Sequence, residues 1–477
     1  MLLKNGRVLQ IKEKHVFFES LDIRISDSYI TECSPNLSPQ RGEVWMDLDQ
    51  DFVIPGIINS HYHSYATLLK GTSSGAPLEI WSPDTIALGA ALTPEDMALS
   101  AAISICEMLH AGVTACIDHI PHIKAAAAIA NVYQKAGFRV LLAPMLHDIT
   151  DSQILYHVPA APGAFPSVSE YYNFYTNFIS QFHRPDGTSQ VMVGINSPQR
   201  ASHELLELAH FLSETYDLNI HCHLLETKWQ KLSAQISKEE PLKKLTDHSL
   251  LSNKTSLAHC IWLDDKDLQL ISYNHAYIVA NPESNCFLGS GILPLRQIKR
   301  YGIPVAIGSD AGNCGANHNL ISSLRLLLQL DRIQDYTNES GKNLISFQDY
   351  HDWYSMAEGF SMLSQTAASL AGYSNLGSIA PGFLADLVTF DKKALVNTGE
   401  NFLLQQFIFH SSFHAKEVFI HGKHILKHGT ITCLDENELY QKLEQRLPAL
   451  RGLIANALKE TCTERELYDR MYSSFHD

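Results

Sequence analysis

Two histidines separated by one residue, His61-Tyr62-His63, close an apolar run that begins near Phe52. On an extended strand residues i and i+2 face one side, so both imidazoles can address a single metal while Tyr62 faces away. With 24 histidines in 477 residues, roughly one such pair arises by chance, so the pair acquires meaning only from context. A second cluster, His221-Cys222-His223, is followed by Glu226 and Thr227. Only one of His221 and His223 need be a ligand. Glu226, three residues beyond His223, can converge with it on one centre as an acid or base. His259 ends Ser256-Leu257-Ala258, and Asp310 ends Ala306-Ile307-Gly308-Ser309. Taken singly, His259 reads as a core histidine and Asp310 as the cap of the next segment.

The elements that carry these residues decide between such readings. From about residue 54, apolar β runs alternate with amphipathic segments of 10 to 20 residues, the pattern of repeated β-α units on a parallel sheet. Eight runs can be counted: Phe52–Asn59, Gly112–His119, Phe138–Met145, Val191–Asn196, Leu218–Leu225, Ser256–Cys260, Ala276–Asn281 and Pro304–Asp310. Eight such runs predict a closed (β/α)8 barrel, whose reactive residues gather where strands end at the C-terminal face. His61 and His63, His223, His259 and Asp310 sit at the ends of runs one, five, six and eight. Such placement at one rim is far less expected by accident than any single occurrence. Three imidazoles and a carboxylate make an N/O site suited to Zn²⁺ or Fe²⁺ with a position open to water. A metal there lowers the pKa of bound water towards ~7, which is hydrolase chemistry.

Before the barrel, short strands (Gly6–Ile11, Val16–Glu19, Asp22–Ser26, Tyr29–Cys33) form a meander too small for its own core. Strands of the same style return after residue 384 (Ala385–Phe390, Glu417–His421, Lys423–Leu426, Thr430–Cys433). The expected division is residues 1–53 and 384–435 as two parts of one small β-domain, 54–383 as the barrel, and 436–477 as a helical tail marked by Leu439, Leu443 and Leu447. Thr93-Pro94-Glu95-Asp96 opens one helix with a capping hydroxyl, Pro in the first turn and acids behind it, and Gly112 follows its end.

Composition narrows the partners. A net charge of −15 argues against nucleic acid and anionic membranes, which require clustered Lys and Arg. No run approaches 18 apolar residues, so no spanning helix is expected. The charged start Met1-Leu2-Leu3-Lys4-Asn5-Gly6-Arg7 is unlike a signal peptide, and nine cysteines without a Cys-x-x-Cys pair read as reduced thiols of a cytoplasmic chain. A small-molecule substrate is the expected partner. A homodimer is a base-rate expectation that leaves no mark in the sequence.

Val53-Ile54-Pro55-Gly56-Ile57-Ile58-Asn59-Ser60-His61-Tyr62-His63 resembles the opening signature of the amidohydrolase superfamily. His223-Leu224-Leu225-Glu226-Thr227, Ala258-His259-Cys260, Asn281-Pro282-Glu283-Ser284-Asn285, Gly308-Ser309-Asp310 and Leu376-Gly377-Ser378-Ile379-Ala380-Pro381-Gly382 are similar to its aminohydrolase and triazine-hydrolase branch. The resemblance implies a distorted TIM barrel with a β-sandwich built from both chain ends. It also implies one divalent metal, Zn before Fe or Mn, on His61, His63, His223 and Asp310. By the same resemblance, hydroxide generated at the metal attacks an electrophilic ring or amidine carbon. Asp310 takes the water's proton, Glu226 protonates the ring nitrogen and then departing ammonia, and His259 orients the hydroxide. Such acid–base work contributes typically 10²–10⁴-fold.

The implied activity is deamination of an amino-substituted heterocycle of purine, pterin, pyrimidine or triazine type. Chloride release or cyclic-amide hydrolysis on the same scaffold is the alternative, and a non-catalytic structural barrel is a third reading. Ile195-Asn196-Ser197-Pro198-Gln199 stands where adenosyl deaminases of the branch carry Pro-His-x-Pro-Tyr. Residues 87–91 lack their ribose-binding acid, and Ala280 replaces their His. These departures argue against an S-adenosylhomocysteine or methylthioadenosine substrate. Trp81, Asn196 and Gln199 are the candidate substrate contacts, against core packing for Trp81 and a loop hydrogen bond for the other two. His119, His122 and His147 lie near strand ends two and three, as pocket lining or simple rim residues.

Overall fold

The structure is a computed structural model that describes the chain except residues 13–14, 74, 151–152, 155–163, 238, 316, 339–351, 396–401, 411–413, 462–465, 467–468, 470–472 and 474–477. The expected tail beyond Thr461 therefore lies largely outside the described residues.

Eight parallel strand positions follow one another in chain order: Ile57–His63, Val113–Ile120, Arg139–Leu146, a fourth broken at Met192 into Ser189–Val191 and Val193–Ile195, Ile220–Leu224, Thr255–His259, Tyr277–Ala280, and an eighth split into Val305–Ile307 and Asp310–Ala311. The split lets the eighth strand touch both of its neighbours. Its first part pairs with the seventh strand, and its second part pairs with the first. Gly308 stands at the break because a Cβ there would lie 2.5 Å from Asn281 Oδ1 and 2.6 Å from the His61 carbonyl. The fold is a distorted TIM barrel. Alternation sends Ala115 and Ile117 of the second strand and Leu141 and Ala143 of the third into one buried cluster with Ile58, Val279 and Ala306.

The first apolar run is two strands in two sheets. Phe52–Pro55 pairs antiparallel with Leu387–Phe390 in a nine-stranded sheet, and only Ile57–His63 belongs to the barrel. An unbroken apolar run hides this change because both halves are buried. Gly56 is the hinge: a Cβ would fall 2.0 Å from Thr114 Oγ1, and its N–H donates to the Asp386 carbonyl at 2.9 Å.

From edge to edge, the nine-stranded sheet runs Thr430–Ile431, Lys423–Lys427, Glu417–Ile420, Leu387–Phe390, Phe52–Pro55, Leu2–Lys12, His15–Ser26 and Tyr29–Ser34, with Trp45–Asp47 also beside Leu2–Lys12. The two short strands read at Val16–Glu19 and Asp22–Ser26 are one. One set of its side chains (Leu3, Val8, Ile23, Val53, Leu387, Phe419) forms a separate core. The alternate set (Leu9, Phe18, Phe52, Ile54, Val388, Phe390) joins the main core that the barrel shares with its helices.

Thr93 caps the helix Pro94–His110 in a reciprocal box with Asp96. A C-terminal helix, Glu436–Glu460, packs on that helix and on Leu78–Ala91. Among the described residues no single helix is long and apolar enough to cross a membrane.

Candidate active site

At the C-terminal rim, a register shift between Asn59 and Tyr62 interrupts the pairing of the first and second strands. Such a bulge re-aims side chains, and His61 and His63 both project into the cluster. His63 Nε2 lies 3.2 Å from Asp310 Oδ1, and His61 Nε2 lies 3.4 Å from the same oxygen. His223 Nε2 approaches His63 Nε2 at 3.4 Å. Each imidazole is fixed through its other nitrogen. His63 Nδ1 donates to the His119 carbonyl and His223 Nδ1 to the Asn196 carbonyl, both at 2.6 Å. The Nε2 atoms are thereby left as acceptors facing inward, the arrangement in which imidazoles bind metals.

His221 is not a competing ligand. It stands behind His61, with Nε2 at 2.7 Å from His61 Nδ1 and Nδ1 at 2.7 Å from Ser256 Oγ. Ser256 in turn donates to the Ile220 carbonyl at 3.1 Å. With Ser256 as the final donor, one consistent set of protons runs from His61 through His221 to the backbone. Sequence spacing could not distinguish this supporting role from ligation, because strand alternation places His221 and His223 on the same face.

Asp310 accepts from Ser284 Oγ at 2.6 Å and from the Ala311 N–H at 2.8 Å. His259 Nε2 lies 3.6 Å from Glu226 Oε2 and 3.8 Å from Asp310 Oδ2. The Asn285 side-chain amide donates to His259 Nδ1 at 3.0 Å, so the ring proton sits on Nε2, between the two carboxylates. Asn285 and Ser284 thus acquire positioning roles that their motif alone did not assign. His259 (φ 76°) and Asp310 (φ 61°) both hold left-handed backbone. Such strain costs of order 1–3 kcal/mol per residue and persists where surrounding structure over-determines it, commonly at functional sites.

Electrostatics separate the groups. Burial would raise Asp310, but the His61 and His63 rings beside it, which hydrogen-bond the carboxylate whenever their Nε2 carries a proton, outweigh that and hold the carboxyl well below the usual range. Burial lowers His61, and it lowers His223 well below the ordinary imidazole value, while His259 falls to about 3. His63 is the exception, because Asp310 outweighs its burial and holds it above the ordinary range. The cluster is therefore an ionised carboxylate among mostly neutral imidazoles, with one proton's worth of competition at His63.

Among the described residues, two donor groups could hold a metal ion: His61, His63, His119 and His223, and His61, His259 and Asp310. The set supplies neutral nitrogens and an anionic oxygen, which fits a borderline divalent cation. It includes His119, which the sequence offered as pocket lining or a simple rim residue and not as a ligand. His119 is fully buried, with no hydrogen-bond partner on either ring nitrogen among the described residues. A neutral imidazole N–H left in that state costs about 1–3 kcal/mol.

A cavity of about 430 Å³ opens above the cluster, with His63, His223, Glu226, His259 and Asp310 on its floor. Trp81 and Asn196 line it, as do His122 and His147. The Trp81 indole N–H is buried and has no acceptor among the described residues. Asn196 also accepts from Arg200 Nη1 at 3.1 Å. Gln199 is not brought to this cavity. It lines an adjoining one of about 290 Å³, which shares Leu78, Ile149, Arg200 and Gln230 with the first. One turn of 3-10 helix, Pro198–Arg200, rotates it away from Asn196.

Residues 52–425 match the model of the amidohydrolase family. The chain is similar to 5-methylthioadenosine/S-adenosylhomocysteine deaminase of Halothermothrix orenii, 27% identical over 398 residues that cover 82% of this chain and 85% of the relative. Its fold is similar to that of a zinc-bound adenosine deaminase from Xanthomonas campestris, with a TM-score of 0.81, 23% identity and coverage of 94% and 98% of the two chains. It is likewise similar to that of a zinc complex of atrazine chlorohydrolase from Arthrobacter aurescens, with a TM-score of 0.80, 20% identity and coverage of 95% and 99%.

Proposed function

The chain belongs to the amidohydrolase family, and from that premise we propose that it is a metal-dependent aminohydrolase releasing ammonia from an amino-substituted heterocycle. The observation that carries this reading is His259 Nε2 held between Glu226 Oε2 and Asp310 Oδ2 on the floor of a cavity large enough for a bicyclic ring. His61, His63, His223 and Asp310 are the residues that would hold the metal. Inward-facing Nε2 atoms and an anionic Asp310 Oδ1 support this assignment, with zinc as the first expectation. The metal, when bound, lowers the pKa of water enough to supply hydroxide at neutral pH.

The remaining work falls to the protein. Asp310 Oδ2, at the edge facing His259, receives the water's proton. His259 donates a hydrogen bond from Nε2–H to the oxygen that adds to the ring and so holds it in line. Glu226 lies within reach of the same space, gives its proton to the ring nitrogen, recovers one of the water's two protons by way of Asp310 or the adduct hydroxyl, and passes it to the leaving amine, so that both protons of the water end on the products. That sequence requires a carboxyl that can give and regain one proton per turnover. Trp81 offers an aromatic wall and an indole donor to the ring. Cys33, Cys106, Cys116, Cys222, Cys260, Cys286, Cys314 and Cys433 carry no disulfide, which supports a reducing, cytoplasmic setting.

The test is ammonia release from metal-replete protein offered aminopurines, pterins, cytosines and triazines in parallel. At least one class should yield ammonia stoichiometric with product, and chelated protein should yield none. Ammonia from no class, or chloride from a chlorotriazine in its place, would overturn the deaminase reading.

A further inference from the structure

His119 stands on the second barrel strand, which contributes none of the groups assigned above. Alternation along Val113–Ile120 points Ala115 and Ile117 into the barrel, and His119 continues that column at its top. Its ring lies among the imidazoles of the site, with centroids 5.7 Å from His61, 5.7 Å from His63, 4.9 Å from His221 and 4.7 Å from His223. It is wholly buried and neither nitrogen has a hydrogen-bond partner among the described residues. One ring nitrogen of His119 lies within 4.8 Å of a ring nitrogen of each of His61, His63 and His223.

Neutral imidazoles that face one another with lone pairs inward repel unless a proton, a hydrogen-bond donor or a Lewis acid stands between them. Metal–nitrogen bonds of about 2.0–2.1 Å allow donors on opposite sides of one ion to stand ~4.2 Å apart. The four imidazole donors, all within 4.8 Å of one another, therefore stand within reach of a single ion after modest inward shifts. The residue is already tied to the site by its backbone, since its carbonyl fixes His63.

We propose that His119 is a further ligand of the divalent cation, so that the centre is built from four imidazoles and one carboxylate. The proposal rests on the assignment of His61, His63, His223 and Asp310 to that metal. A nitrogen-rich set of this kind favours Zn²⁺ over Mn²⁺ more strongly than three imidazoles do.

Full-length protein stripped with chelator is titrated with Zn²⁺ against a competing indicator, alongside His119→Gln and His119→Met. X-ray absorption at the zinc edge then counts the imidazoles. Wild type should bind one Zn²⁺, and each variant should bind it at least tenfold more weakly with one imidazole fewer. The metal-free His119→Met protein should melt no lower than metal-free wild type, because an unpartnered buried polar group has been removed. A purely structural His119 would instead lower that melting temperature and leave affinity unchanged. Unchanged affinity and imidazole count in both variants would overturn the proposal while leaving the metal assignment intact. Failure of wild type to bind Zn²⁺ would sink both.

Discussion

The barrel buries ionisable groups at both of its ends, and the two ends treat them in opposite ways. At the N-terminal end Arg139 and Asp386 are almost fully buried, and Arg139 is surrounded by partners. Arg139 Nε and Nη2 donate to Asp386 Oδ2 and Oδ1 at 2.7 and 2.9 Å, and Nη1 donates to the Gly187 carbonyl at 3.0 Å. The His421 N–H also donates to Asp386, at 2.8 Å. At the C-terminal rim, imidazoles crowd one ionised carboxylate, and His119 has no hydrogen-bond partner on either nitrogen among the described residues. A completed network joins two layers of a fold. An incomplete one, equally buried, calls for a further partner, which under the proposal for His119 is the metal. Burial alone does not distinguish structure from chemistry; the state of the last lone pair does.

Substitutions at the two ends should therefore fail differently. Glu226→Gln should lower kcat by about 10²–10⁴-fold while zinc content and melting temperature stay at wild-type values. Full turnover in that variant would erase the functional half of the contrast. Arg139→Met should cost about 3–5 kcal/mol in denaturant melts by leaving Asp386 buried without its partner, with the zinc affinity of the folded fraction intact. Recovery of stability in Arg139→Met/Asp386→Leu would sharpen the point. Ser256→Ala, which removes the end of the chain behind His61, should weaken zinc binding by about 10–100-fold without unfolding the protein. Measuring affinity and melting temperature together places Ser256 at one end or the other.

The smallest effect lies away from both ends. Arg446 of the C-terminal helix donates to Asp96 at 2.7 and 2.9 Å. First that contact, and then the capping bonds with Thr93, hold the Asp96 carboxyl below its ordinary range. A depressed folded pKa gives stability that is present above the unfolded value, near 4, and is lost as pH falls through the folded value. Arg446→Gln should cost at most ~1 kcal/mol at pH 7, and its melting curve should merge with wild type once the pH has fallen through the folded-state value of Asp96. A gap that persists in acid would assign the effect to packing of the arginine stem.

Much of this was legible in residue order. Eight apolar runs predicted the barrel, because each parallel strand is buried on both faces and leaves an unbroken apolar signature. His61, His63, His223, His259 and Asp310 could be found because each ends a run, and the structure brings them into one cluster. What remained hidden depends on contacts that have no period. Gly56 looks like any turn residue until Thr114 is seen against it. His221 and His223 share a strand face, so only Ser256, on the next strand, tells support from ligation. Gln199 was paired with Asn196 by proximity in sequence, and one turn of helix separates their destinations.

The hinge at Gly56 also has a consequence in time. The strand before it, Phe52–Pro55, finds its antiparallel partner about 330 residues later in Leu387–Phe390. At synthesis rates of about 5–20 residues per second the wait is roughly 20–70 s, during which an apolar strand edge has no neighbour on that side. The first barrel strand hangs from the same hinge, so its base is closed only after Leu387–Phe390 has been made, whereas its rim can pair earlier with Val113–Ile120 and Asp310–Ala311. A chain interrupted before Leu387 therefore carries His61 and His63 on a strand whose base still lacks its antiparallel neighbour.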